Sequence, residues 1–236
     1  MENQFERIEM LLGKDAVNKL KRSSVAVFGI GGVGGFTAEA LVRSGVGALD
    51  IIDNDAVALS NLNRQIIALH STLGKLKVDV AEERFLDINP DLKLNKHAVF
   101  YTPETSESFD FTRYDYIVDA IDTITGKIEL IVNAEKAGTP IISSMGAGNK
   151  LSPAMFEVAN IYETSVCPLA RVMRSELRKR GIKNLKVVYS KEKPLSPMYQ
   201  SDNNERKKAP ASSAFTPSVA GLIIASEVVK DLISNE

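Results

Sequence analysis

Residues 24–35 read Ser24-Val-Ala-Val-Phe-Gly29-Ile-Gly31-Gly-Val-Gly34-Gly35, and the fold follows from the change of period inside that stretch. Ser24 to Phe28 is short, apolar and β-branched, the composition of a strand buried on both faces of a parallel sheet. After Gly29 the pattern switches, and residues 33–43 (VGGFTAEALVR) form an amphipathic helix. Gly29, Gly31 and Gly34 therefore occupy a G-x-G-x-x-G turn between strand and helix. One such glycine permits the tight turn, one lets the backbone approach phosphate, and one lets helix and strand pack closely. Free N–H groups and a positive dipole end at the helix start favour an anion, so the turn is read as a nucleotide-phosphate site.

Downstream, Gly45 and Gly47 stop that helix and residues 48–52 (ALDII) form a second strand ending at Asp53. A carboxylate about 20 residues past the last glycine reaches the ribose hydroxyls of a bound nucleotide. The class is α/β, a Rossmann-like nucleotide-binding sheet. NAD or FAD would suit that much, but the next residues do not. Asp53-Asn54-Asp55 leads to Ser60-Asn61-Leu62-Asn63-Arg64-Gln65 and to Gly74-Lys75-Leu76-Lys77, which opens a helix running to Asn89. Singly, Arg64 and Lys77 read as surface cations and Asn61 and Asn63 as turn caps. Delivered together beside the turn, an Arg and a Lys suit a triphosphate, whose charge must be neutralised and steered.

Residues 92–99 alternate as a strand, and 116–120 (YIVDA) form a buried strand ending in Asp119-Ala-Ile-Asp122. Two carboxylates at the C-terminal end of a strand, where the glycine turn opens, suggest a Mg²⁺ site. Asp122 is the stronger ligand candidate, because Asp119 reads equally well as a helix cap or turn residue. A helix over 127–137, strands over 140–144 and 155–159, a helix over 166–180 entered through Pro168, and an apolar helix over 217–233 complete the pattern. The fold expected is thus a Rossmann-like sheet extended by further strands and helices from the C-terminal half.

With 236 residues and no shift of composition, the chain is expected to be one domain. It divides into an N-terminal helical segment (1–22), a nucleotide-binding half (23–145) and a C-terminal half (146–236). Within the last, residues 191–213 hold three prolines and read as a mobile loop near the site. Lys and Arg number 29 against 30 Asp and Glu, so only local clusters can speak for nucleic acid. The single cysteine, Cys167, excludes a disulfide framework and a Cys-rich zinc site. Its neighbours Val166, Pro168 and Leu169 are apolar, which favours a buried hydrophobe over a nucleophile. His70 and His97 stand isolated in the sequence. The charged start MENQFERIEMLL is no signal peptide, and the 217–233 helix, interrupted by Glu227 and Lys230, is too short to span a bilayer. A soluble, cytoplasmic protein is expected.

In order and spacing, GIGGVG, the Asp53-x-Asp55 pair, SNLNRQ, the GxxK ending in Lys77 and VDAID resemble the ThiF/MoeB/HesA superfamily of ATP-dependent adenylating proteins. The resemblance implies that Gly29, Gly31, Gly34 and Asp53 hold ATP, with Asp55 and Gln65 in the same site. It also implies that Asn61, Arg64 and Lys77 contact phosphates and that Asp122 binds Mg²⁺. Arg7 matches an arginine that reaches the phosphates of the other subunit of a homodimer. Members that adenylate sulfur-carrier proteins typically hold zinc through two Cys-x-x-Cys pairs, which this chain lacks. ERIEMLLGK, TSVCPLARVMR and FTPSVAGLIIA resemble the zinc-free branch, the tRNA threonylcarbamoyladenosine dehydratases. These use ATP to cyclise a threonylcarbamoyl side chain on an adenosine beside the anticodon. The alternative is an activating enzyme for a ubiquitin-like or sulfur-carrier protein, and a sulfur-transfer protein is a possible partner.

Arg171, Arg174 and Arg178 fall on one face of the 166–180 helix, followed by Lys179, Arg180, Lys183 and Lys186, with Glu176 alone opposing them. Taken alone such a run is a solvated face. The resemblance turns it into a candidate tRNA surface. The helix over 3–12 is too short to be stable alone, so Phe5, Ile8 and Leu12 must pack on something.

Overall fold

The computed structural model describes residues 3–198 and 210–234. Helices α1 (Glu6–Leu12) and α2 (Lys14–Leu20) precede β1 (Ser24–Phe28), α3 (Gly34–Arg43), β2 (Ala48–Ile52), α4 (Lys77–Ile88) and β3 (Lys93–His97). The chain continues through β4 (Tyr116–Asp119), α5 (Ile124–Ala137), β5 (Ile141–Ser144), β6 (Phe156–Asn160), α6 (Pro168–Lys179), β7 (Lys186–Ser190) and α7 (Phe215–Ser234). All seven strands join one sheet in the order β3-β2-β1-β4-β5-β7-β6, parallel throughout except for β6 against β7. From β1 the chain moves outward to β3 and then returns to β4 on the other side of β1. The C-terminal ends of β1 and β4 therefore diverge into a crevice, the usual ligand position in such sheets.

Burial on both faces explains why the central strands read as unbroken apolar runs: Val25, Val27, Ile117 and Val118 are fully buried. One face carries a core shared by α3, α4 and α7, including Leu41, Phe85, Ile224 and Val228. The other is filled from α5 and α6, with Leu130 and Ala134 in one cluster and Ala170, Met173 and Leu177 in another. α7 crosses α3 at Gly221, where a Cβ would stand 2.3 Å from the Val33 carbonyl oxygen. Thr37 adds a hydrogen bond from its hydroxyl to the Gly221 carbonyl at 3.0 Å. Among the described residues, no helix is long and apolar enough to cross a membrane.

Three expectations need correcting. Lys186 is not part of a basic surface run: it opens β7, and its ammonium lies 2.7 Å from Asp231 and 3.3 Å from Glu227 of α7. The Val187-Val188-Tyr189 core of that strand is too short to stand out from its polar flanks, yet it is buried between β5 and β6. His97 is not isolated, since its Nε2 lies 2.9 Å from Asp50, which also accepts from Tyr114 and Asn95. As for the loop at 191–213, residues 199–209 lie outside the described residues. The described ends are tied to Asn149: Leu195 N–H donates to its carbonyl at 2.8 Å, and Ala211 N–H to its side chain at 2.7 Å.

Asp119 also differs from its expectation. It is neither cap nor metal ligand but fully buried, 2.9 Å from the equally buried Lys127 ammonium of α5 and hydrogen-bonded by Ser143 of β5. The pair fixes the start of α5 against the ends of β4 and β5. Removing one partner of a buried pair strands the other charge without water. Asp119→Asn should therefore lower the urea-unfolding free energy by about 3–5 kcal/mol; a loss under about 1 kcal/mol would show that Lys127 is satisfied without it.

Candidate active site

The glycine turn leads from β1 into the crevice, and its glycines divide the work as their surroundings dictate. Gly29 has φ +91°, and a Cβ there would lie 2.7 Å from the Ala120 carbonyl oxygen in the β4–α5 loop. At Gly34 a Cβ would meet the Gly29 carbonyl oxygen at 1.8 Å, an impossible approach. Gly31 differs: the nearest atom to its Cβ position is Gln65 Nε2 at 3.8 Å, so the space before it is open. No side chain caps α3, and although the Gly35 N–H donates to the Gly31 carbonyl at 3.0 Å, the positive dipole end of the helix is left to an anion.

Asp53, at the end of β2, braces the turn. One carboxylate oxygen accepts the Ile30 N–H at 2.8 Å and the other the Asp55 N–H at 2.9 Å. Lys77, the first residue of α4, brings its ammonium to 2.7 Å from Asp55 and 3.4 Å from Asp53. Its side chain is only 6 % exposed, which excludes the surface-cation reading. The Asp55 carboxylate is 62 % exposed, so the trio presents one wet face.

Arg64 lies across the turn, its Cγ 3.4 Å from the Cβ position of Gly32. Nη1 donates to the Ser60 carbonyl at 2.7 Å and to Asn63 Oδ1 at 3.0 Å, while the rest of its donor fork has no partner among the described residues. Burial pulls this guanidinium below its ordinary pKa, yet an arginine keeps its charge at neutral pH. Asn61 caps its own turn through the Ala58 N–H at 2.9 Å. Gln65 is buried beside Gly31, and its Oε1 is the one buried side-chain polar atom without a hydrogen-bond partner among the described residues. It is the amide nitrogen, not Oε1, that stands toward the open side of Gly31.

Asp122 is exposed on the β4–α5 loop, across the crevice from the glycine turn. Among the described residues, no three His, Cys, Asp or Glu side chains gather as a metal site. With Asp119 engaged by Lys127, one carboxylate remains. That fits Mg²⁺, which binds through one or two carboxylates and completes its shell with water and substrate phosphates.

Several contacts at the site were not expected from the sequence. Pro217, near the start of α7, stands 3.2 Å from the Gly32 Cβ position, and Asn63 donates to the Ser212 carbonyl at 3.1 Å. The N-terminal end of α7 and residues 210–213 thus close over the Arg64 side of the turn. Lys150 is buried, donating to the Glu192 carbonyl at 2.6 Å, and burial pulls its pKa below the ordinary value. No sequence signal marked it.

The remaining candidates lie apart. Phe5 packs on Gly45, between α3 and β2, so Arg7 stands exposed at the opposite end of the sheet from the glycine turn. Strands of five residues put about 16 Å between those ends. Arg7 therefore lies remote from this chain's crevice. On α6, Arg171 and Arg178 are exposed, the latter 5.1 Å over the Tyr162 ring, while half-buried Arg174 donates to the Thr164 carbonyl at 3.0 Å and to its hydroxyl. Cys167 is buried among the α6 core residues.

A model of the ThiF family matches residues 5–236. A tRNA threonylcarbamoyladenosine dehydratase of Bacillus subtilis (strain 168) is 46% identical over 245 aligned residues, spanning 100% of this chain and 96% of the relative. The Escherichia coli (strain K12) protein of the same name is 35% identical over 175 residues, 74% of this chain and 65% of the relative. A crystal structure of the E. coli tRNA N6-threonylcarbamoyladenosine dehydratase in complex with AMP superposes with a TM-score of 0.90 at 30% identity. It covers 98% of this chain and 94% of that one.

The division of labour among the glycines gives a paired expectation. Gly31→Ala should keep the cooperative unfolding of the parent protein but lose most ATP affinity in calorimetric titration, because its Cβ obstructs only the ligand's approach. Gly34→Ala should fail to fold. Parental ATP affinity in Gly31→Ala would contradict phosphate docking at this turn.

Proposed function

The chain belongs to the ThiF family, and on that footing we propose that it activates the threonyl carboxylate of threonylcarbamoyladenosine in tRNA with ATP. The side chain then closes into a ring with net loss of water. The observation that carries this reading is full-length similarity to a dehydratase at 46% identity. The open glycine turn, flanked by Lys77 and Arg64, supports it. One carboxylate oxygen attacks the α-phosphorus, and the bond from that phosphorus to the bridging oxygen of pyrophosphate breaks. The neighbouring carbamoyl group then attacks the acyl carbon and AMP leaves. No enzyme nucleophile is needed, since the attacking group is already tethered.

In this reading the Gly29–Gly34 turn and the start of α3 receive the phosphates, Asp53 and Asp55 face the ribose side, and Gln65 offers its amide nitrogen beside Gly31 to the ligand. Arg64 and Lys77 offset charge growing on the phosphate oxygens, with Asn61 shaping the loop that carries Arg64. Asp122 would hold Mg²⁺, which when bound supplies further charge neutralisation there. The chain works in the cytoplasm as one adenylating domain, paired in a homodimer in which Arg7 reaches the partner's phosphates. The exposed arginines of α6 face the RNA.

The test is mass analysis of tRNA nucleosides after incubation with protein and ATP, which should show loss of one water from threonylcarbamoyladenosine and release of AMP. Asp122→Ala should stay folded and stop turnover. Arg64→Ala and Lys77→Ala should each lose about 2–4 kcal/mol of transition-state stabilisation, and Arg7→Ala should lose turnover while sedimenting as a dimer. An acyl-adenylate formed on a small carrier protein, with the RNA unchanged, would contradict the reading.

A further inference from the structure

At the head of α6 lies a second concavity, a cleft of about 540 Å³ lined by Val166, Cys167, Pro168, Arg171, Val172 and Arg174. It belongs to the working end of the sheet. Leu169 lies 4.0 Å from the Cβ position of Gly146, which follows β5 at the same edge as the glycine turn and the Asp122 loop. The volume falls within the range of about 300–1,000 Å³ typical of small-ligand sites.

The lining is of two kinds. Val166 and Val172 are 46 % and 42 % exposed, an apolar rim open to solvent beside Pro168. Two arginines stand among them. Arg174 is fixed by its bonds to Thr164, so one cationic wall is rigid. Arg171 has no hydrogen-bond or ion-pair partner among the described residues and is exposed. At the other end of α6 a single carboxylate, Glu176, lies 2.5 Å from Lys179 and 2.9 Å from Arg180 and offsets part of the charge there. Among the cleft's own lining residues no carboxylate opposes Arg171 or Arg174, so the cleft carries two positive charges. Apolar walls next to a free guanidinium match a nucleotide, with flat faces to stack and a phosphate to pair.

Resting on the reading of tRNA as substrate, we propose that this cleft receives one unpaired base flanking the reacting nucleoside, with Arg171 on the adjoining phosphate. A base within a duplex has both faces covered and cannot enter, so the cleft selects a single-stranded loop. It also anchors the loop beside the nucleotide site, an orienting role that leaves Cys167, buried at the floor, without chemistry to perform.

The test uses a fluorescent RNA stem-loop carrying threonylcarbamoyladenosine, and copies with an abasic site at each flanking position. Val172→Trp fills the cleft from an exposed position, and Arg171→Glu reverses its free charge. Each should raise the Kd for the intact RNA about tenfold and leave the KM for ATP unchanged. Arg171→Glu should also flatten the salt dependence by about 0.7 in logarithmic slope. One abasic copy should bind the parent protein about tenfold more weakly but bind Val172→Trp no worse than the intact RNA does. Lys136→Glu, on α5 at the far end of the sheet, should bind as the parent does. Parental affinity in Val172→Trp, equal binding of all abasic copies, or tight binding of an acidic peptide in place of RNA would overturn the proposal. If the parent protein converted no threonylcarbamoyladenosine, the tRNA reading would fall separately, and the same affinity ratios would still decide the cleft.

Discussion

No Cβ fits between the backbone of the glycine turn and that of the β4–α5 loop, and the rest of the site depends on this contact. Gly29 lies against the Ala120 carbonyl, and Gly34 lies against Gly29 itself. The phosphate turn and the loop that carries Asp122 are thereby held in one relation, set by main chain rather than by adjustable side chains. The Asp119–Lys127 pair fixes the same loop from below. Asp53 fixes the turn from the side through the Ile30 N–H. Three independent constraints thus converge on a few residues at the point where the strand order reverses, at the crevice between β1 and β4.

The charges around that crevice are arranged for a polyanion. Lys77 is buried against Asp53 and Asp55, which spares a desolvated ammonium from standing unpaired. Arg64 keeps most of its donor fork free while its stem covers Gly32. An incoming triphosphate would meet one cation already positioned, one held in reserve by two carboxylates, and the uncapped start of α3. Little side-chain ordering then remains for the moment of reaction, which is the condition under which electrostatic stabilisation is most effective.

Much of this could be read from the sequence because it rests on local pattern. The change of period at Gly29 marks a strand–turn–helix, and Asp53, Arg64 and Lys77 follow at fixed distances along the chain. What escaped depended on partners remote in sequence. Asp119 looked like a ligand beside Asp122 because nothing local announces Lys127 one helix turn into α5 or Ser143 on the next strand. The short apolar core of β7 was hidden by Lys186, whose carboxylate partners lie on α7. Arg174 fell into a helical stripe with Arg171 and Arg178, yet only the fold shows that Thr164 has claimed it. Periodicity identifies a face; what that face meets is decided by the rest of the sheet.

The central claim is that a carboxylate of the RNA, not water or a protein group, attacks the α-phosphorus of ATP. Labelling the threonyl carboxylate of the substrate RNA with oxygen-18 and analysing the released nucleotide by mass spectrometry tests it directly. Adenylation predicts one labelled oxygen in AMP for each ring closed, because the acyl–oxygen bond breaks when the carbamoyl group attacks. Unlabelled AMP, or label appearing in inorganic phosphate, would contradict it.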